Sequence, residues 1–199
     1  MLFSSCLRVV LLLLCAIVIS CRGQKFTTGT CPGLNSFTTA TFTLTNLVNT
    51  WREVARTKSI YRHDWKCVTY NIVAVTPSVK YTFSMTGVKK GGGLGRAAGS
   101  MDVFNVAGGV SGAGTYFRIT TTYGQKEITL NYYIVRVSIQ QNYISLYACE
   151  NYLFGKLESA IVLVRPALPD INLAAALNSL SQYGVDRNDL VYTYTNECL

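Results

Sequence analysis

The chain has a single histidine, His63, so no pair of imidazoles exists to build a metal centre or to share acid and base work. That residue sits in the polar stretch YRHDW with Asp64 beside it, where solvation of a loop at the surface accounts for it. No N-x-S/T sequon occurs, which excludes N-linked sugar as a source of solubility. An exposed apolar rim would then need other cover, and self-association into a homo-oligomer is the expectation left open. There is no G-K-S/T phosphate loop. The apolar run from Val9 to Ile19 is too short to span a membrane. Basic residues form no dense block: Arg52, Arg56, Lys58, Arg62 and Lys66 are spaced apart, which argues against a nucleic-acid arm.

What the N-terminus does have is one positive charge in Met1 to Arg8, the apolar run, and small residues at Ser20 and Gly23, after which the chain turns polar. This is the pattern of a secretory signal over residues 1–23, cleaved after Ser20 or Gly23, leaving 24–199 as one extracellular domain without a stable membrane anchor. The competing reading of Val18 to Cys21, a lipoprotein site acylated at Cys21, sits badly with a disulfide-bonded secreted domain. Without Arg8 and Arg22 the 18 basic residues become 16 against 10 acidic ones, a net charge of +6. Such a charge favours solubility and loose attraction to anionic surfaces.

Of seven cysteines, Cys6, Cys15 and Cys21 fall in the signal and Cys31, Cys67, Cys149 and Cys198 remain. Four cysteines admit three pairings, and their spacing is too wide for a zinc cluster. If all four are paired, the mature chain holds no thiolate nucleophile.

From Thr38 onward apolar and polar residues alternate in short runs separated by turn residues, the pattern of an antiparallel sheet with one wet face. The runs place strands near Asn49 to Thr57, Lys66 to Val75, Val79 to Val88, Ala98 to Phe104, Thr115 to Thr122, Ile128 to Ser138, Tyr143 to Cys149 and Ser159 to Val164. Eight such strands leave two bare edges unless the first meets the last, so the expected fold is all-β, an eight-stranded antiparallel up-and-down barrel. A barrel of that size can enclose one small ligand. Phe83, Met85, Phe117, Ile119, Ile144 and Leu146 are the expected inward residues. In DINLAAALNSLSQYG the period changes: Ile171, Ala174, Leu177 and Leu180 recur three apart, Asp170 can cap the start and Gly184 can stop the last turn. One C-terminal α-helix packed outside the barrel is expected, followed by a short strand in DLVYTYTNEC.

Lys89 to Gly114 is glycine-rich, and GLGRAA (Gly93 to Ala98) formally matches a dinucleotide fingerprint. The context is wrong, because that motif follows a buried parallel strand and opens a helix. Flexible turns with Gly at positive φ are expected instead.

In NTWREVARTKS (Asn49 to Ser59), Trp51, Glu53 and Ala55 fall on alternate positions with basic residues between them. TWREVARTKS resembles the first-strand motif of the lipocalins, most closely the branch of apolipoprotein D and the insect bilin-binding proteins. CVTYNIVAV from Cys67, QNYISLYAC (Gln141 to Cys149), AIVLVRPALPD (Ala160 to Asp170) and LVYTYTNEC keep that branch's order and spacing. Asn49 in place of glycine, Arg52 in place of an aromatic, and Ser138-Ile139-Gln140 in place of Thr-Asp-Tyr depart from it.

The resemblance implies that Trp51 plugs the closed end with Arg165 across its face, and that Cys31 pairs with Cys149 and Cys67 with Cys198. It implies a mouth formed partly by Ser59, Ile60, Tyr61 and Arg62, and a cavity lined by Phe83, Met85, Phe117, Tyr123, Asn131, Tyr133 and Leu146. Tyr81, Tyr123 and Tyr133 can offer aromatic surface with a hydroxyl, and Asn131 and Thr129 a polar anchor. Arg62, Arg96 and Lys89 are placed to attract a carboxylate near the open end. The expected function is transport without catalysis: a secreted carrier or scavenger of a bilin, retinoid, sterol or fatty acid, needing no cofactor beyond such a guest. A lipid-transforming enzyme and an interaction protein with a filled barrel are the alternatives.

Overall fold

The computed structural model describes residues 25–33, 44–59, 61–105, 115–138, 142–166, 173–194 and 198. The proposed signal, Ile60, Asp170 and Ile171 lie outside these residues. Eight strands follow the alternation: β2 (Asn49–Thr57), β3 (Trp65–Thr76), β4 (Lys80–Lys89), β5 (Leu94–Asn105), β6 (Thr115–Tyr123), β7 (Lys126–Ser138), β8 (Tyr143–Tyr152) and β9 (Gly155–Val164). Each pairs antiparallel with the next, and β9 pairs back onto β2, with Arg52 opposite Val164 and Arg56 opposite Ile161. That closure is the eight-stranded barrel expected from the need to remove bare edges.

Two further short strands are present, of which the C-terminal one was expected in DLVYTYTNEC and the N-terminal one was not. The short β1 (Lys25–Thr27) pairs with the stretch of β9 that β2 leaves uncovered, and β10 (Leu190–Tyr192) pairs with the half of β2 that β3 leaves uncovered. Both lie outside the closed wall, and a disulfide holds each end of the chain there. Cys31 is bonded to Cys149 and Cys67 to Cys198, across sequence separations of 118 and 131.

The alternation is cleanest in β4, where Tyr81, Phe83, Met85 and Gly87 are buried and Thr82, Ser84 and Thr86 are exposed. It vanishes in β9, buried along nearly its whole length because both faces are covered. Ile161 and Leu163 face the lumen, while Ala160, Val162 and Val164 lie in a second core beneath helix α1 (Leu173–Ser181). Each fully buried aliphatic side chain of this kind contributes roughly 1.5–3 kcal/mol. The helix buries Ala176, Leu177, Ser179 and Leu180, so the expected face is corrected at Ala174, which is exposed. Gly184, at φ +84°, follows its end.

The glycine-rich stretch is also corrected. Gly91 and Gly92 take positive φ in the β4–β5 turn as expected, but Leu94 already begins β5, so Gly95 is a strand residue, as Gly99 was expected to be. A Cβ on Gly99 would come within 2.1 Å of the Thr120 carbonyl oxygen, which is why this strand needs glycine there. No helix among the described residues is long and apolar enough to cross a membrane.

Candidate functional site

Strand β2 reads as a plain alternation but contains a bulge: Glu53 opposes Leu163 and Ala55 opposes Val162, so Val54 is an extra residue. Beyond the bulge the faces exchange. Ala55 therefore sits in the outer core, correcting its expected alternation with Trp51 and Glu53, and Arg56 turns into the barrel. The carbonyls exposed by the bulge find partners on the C-terminal tail, where Thr193 Oγ1 donates to Glu53 O at 2.6 Å and Thr193 N donates to Val54 O at 3.1 Å.

The result is a charged knot inside an apolar tube. Glu53 is 0 % exposed, Arg56 1 % and Arg62 5 %. Arg56 Nη1 donates to Glu53 Oε1 at 3.0 Å, and Arg62 Nη1 donates to Glu53 Oε2. Tyr70 accepts from Arg62 Nη1 at 2.7 Å and donates to Glu53 Oε2 at 2.9 Å. Arg56 also donates to the carbonyl oxygens of Arg62 and Trp65, fixing the turn that delivers Arg62. Burial pushes the Arg56 guanidinium down from its ordinary value despite Glu53. Burial opposes the Arg62 charge as well, but Glu53, with the phenols of Tyr70, Tyr123 and Tyr132, outweighs it and holds that group charged. The Tyr70 phenol is pushed well up by burial, against the pull of Arg62.

The mouth is closed from the same side. Tyr61 stacks on Tyr123 at 5.7 Å, and Trp65 meets Tyr123 edge-on at 6.2 Å. The indole of Trp65 lies where a Cβ on Gly95 would come within 2.5 Å, so the apparent dinucleotide motif is a seat for a tryptophan. At the opposite end Trp51 Nε1 donates to Leu47 O at 2.9 Å, and the Arg165 guanidinium lies 5.3 Å over its ring. Arg165 Nη2 donates to Asn46 O at 3.0 Å.

Between these plugs the lumen leaves a cavity of about 40 Å³, lined by Arg62, Tyr70, Ile72, Phe83, Met101, Ile119, Thr121, Tyr132, Leu146, Ile161 and Leu163. That is room for roughly three water molecules. A pocket that takes a drug-sized molecule has roughly 300–1,000 Å³. The lining is mostly apolar, as expected, but the roomy lumen of the sequence reading is corrected: Arg62, Tyr61 and Trp65 fill the mouth half.

Of the residues named from sequence, Arg62, Phe83 and Leu146 line the cavity, and Met85 and Phe117 are buried in the core around it. Tyr61 and Tyr123 form the mouth. Arg62, placed at the rim by sequence, is corrected to the interior, because Glu53 captures it; Lys89 and Arg96 are exposed. Tyr81 serves the closed end, donating to Leu44 O at 3.2 Å. Asn131 and Tyr133 are corrected to the outer face of β7: Leu130, Tyr132 and Ile134 take the inner one, and Tyr133 packs against the outer core. Thr129 is exposed and bonds Thr120 at 2.9 Å. Sequence reasoning missed Tyr132, Tyr70, Arg56 and Trp65. Tyr132 and Tyr70 were readable from strand parity; Arg56 and Trp65 depend on the bulge and on the glycine seat.

No protein-family model matches the sequence, and no curated protein matches it. Solved structures do. Apocrustacyanin A1 from lobster is similar with a TM-score of 0.63 at 18% identity, over 86% of this chain and 91% of that one. Insecticyanin from the tobacco hornworm Manduca sexta gives 0.64 at 18% identity, over 88% and 91%. The siderocalin Ex-FABP, which functions through dual ligand specificities, gives 0.53 at 9% identity, over 76% and 95%. These proteins are lipocalins, and the chain has the lipocalin fold.

Proposed function

We propose that this chain is an extracellular lipocalin of the apolipoprotein D and insect bilin-binding branch that carries or scavenges a small hydrophobic molecule in its barrel. Residues 1–23 would be removed on secretion, which agrees with two disulfides that persist in an oxidising compartment. The observation that carries the reading is a closed barrel with an apolar lumen and one polar cluster to orient a guest. Binding would come from burying ligand surface at roughly 25 cal/mol per Å², less the cost of ordering, and no reaction is required. With a cavity of about 40 Å³, a bilin, retinoid, sterol or fatty acid enters only if Tyr61 and Trp65 at the mouth swing aside. The siderocalin Ex-FABP, of similar fold, functions through dual ligand specificities, which supports the carrier reading.

The test is native mass spectrometry and visible absorption of the protein purified from its natural source. A stoichiometric lipid mass, or colour from a tetrapyrrole, supports the carrier. A mass equal to the bare polypeptide, with no uptake of any hydrophobic probe, supports the second reading, a secreted interaction protein with a filled barrel. The small cavity is the observation that favours it.

A further inference from the structure

The lumen holds two guanidinium groups and one carboxylate. Among the described residues, Glu53 is the acid that answers both Arg56 and Arg62. Two other acids of the barrel wall are engaged elsewhere: Glu158 with Lys156 and Tyr147, and Asp102 with Lys80 on the exposed face. The knot therefore carries one positive charge in excess, almost wholly removed from water, a condition that is unfavourable unless an anion answers it. Arg56 Nε is left without a hydrogen-bond partner in the same place. Arg62 lines the cavity on one side, with Ile72, Phe83, Met101, Ile119 and Leu163 continuing towards the closed end.

We infer, resting on the carrier reading above, that the guest is an anionic amphiphile, a hydrophobic molecule bearing one carboxylate, whose headgroup is met by Arg62 while its tail lies among the apolar residues towards the closed end. Glu53 is then an internal stand-in. It holds Arg62 in the lumen while the barrel is empty of guest and shares that cation when a second carboxylate arrives. A neutral alcohol or sterol of equal size gains the same apolar contact but leaves the excess charge unanswered. The discrimination therefore lies in the headgroup and not in the shape of the tail.

The experiment uses matched pairs on the intact, disulfide-bonded protein: palmitic acid against palmityl alcohol, and retinoic acid against retinol, followed by quenching of tryptophan emission at low salt. Trp65 at the mouth is the reporter. The acid of each pair should bind about tenfold tighter or more than its alcohol, and Arg62→Gln, where folded by circular dichroism, should bring the ratio towards one. Equal affinity within both pairs would overturn the inference and leave the carrier reading standing. Failure of all four probes to bind would overturn the inference, while the carrier reading is decided separately by the mass and absorption of the protein from its natural source. If chloride at physiological concentration erases the preference, a small inorganic ion answers the charge, and the inference falls. The ratio measured on the unsubstituted protein decides the matter even if the variant does not fold.

Discussion

Arg62 and Glu53 stand nine residues apart and meet inside the barrel, so the loop at the mouth is tied to the first barrel strand by a buried charge. The contact exists because a bulge at Val54 and the turn from Tyr61 to Asp64 bring both groups to the same depth. Opening the mouth means separating that pair, or replacing one partner of it. In the proposed carrier, entry of a guest would have to overcome this contact, and the apolar wall around it would supply the strength of binding.

Replacing Glu53 by Gln removes the acid that faces two buried guanidinium groups. Breaking one side of a buried pair costs about 3–5 kcal/mol, mostly as the penalty on the charge left behind. Urea unfolding at neutral pH should show a loss of that size. Lys80→Ala, which breaks an exposed pair 4.0 Å apart, should cost under about 1 kcal/mol. Equal effects from the two substitutions would mean that the Glu53 cluster is not desolvated.

The Cys31–Cys149 bridge holds the N-terminal segment to the β8–β9 hairpin, where Cys31 N also donates to Asn151 Oδ1 at 2.6 Å. Replacing both cysteines by Ser should cost about 2–5 kcal/mol and release β1 from β9. Hydrogen exchange at Lys25 to Thr27 should rise well before the barrel strands exchange. The loss would be absent if the unfolded chain were already held compact by other contacts.

The strand set was legible in the sequence because a barrel wall with one wet face imposes period two, as in β4. Where a strand is covered on both faces, as β9 is, alternation carries no information. The bulge was invisible because its carbonyls are satisfied by Thr193, 140 residues away from Glu53. Tyr132 and Tyr133 are separated by the parity that Leu130 and Ile134 set along the strand. The two adjacent tyrosines offer the same chemistry, and that parity turns Tyr132 to the lumen and Tyr133 to the outer core. The fold was therefore read almost whole, and the lumen only in part.

Gly95 is required by Trp65 and not by a ligand. Its Cβ in an alanine variant would come within 2.5 Å of the indole, so the ring must shift. Gly95→Ala should cost about 1–3 kcal/mol and move tryptophan emission to the red as the indole meets water. Gly93→Ala, with nothing within 4 Å of the new methyl, should stay within about 0.5 kcal/mol and leave the emission unchanged. An unchanged spectrum in Gly95→Ala would show that the indole does not occupy that seat.

Tyr132 gives the barrel an alkaline limit. Burial pushes its phenol up to about 12, partly offset by its hydrogen bond with Ser159. The unfolded chain titrates near 10, so the folded state holds the proton more tightly. Stability from this group is whole below about pH 10 and is lost as pH rises through about 12, on the order of 3 kcal/mol in all. Burial pushes Tyr70 and Tyr123 in the same direction, which steepens the fall. Thermal midpoints recorded across this range together with phenolate absorbance should decline in step, and Tyr132→Phe should flatten part of the slope. If a lumen open to solvent let Tyr132 ionise near pH 10 with the fold intact, the closed mouth described above would be wrong.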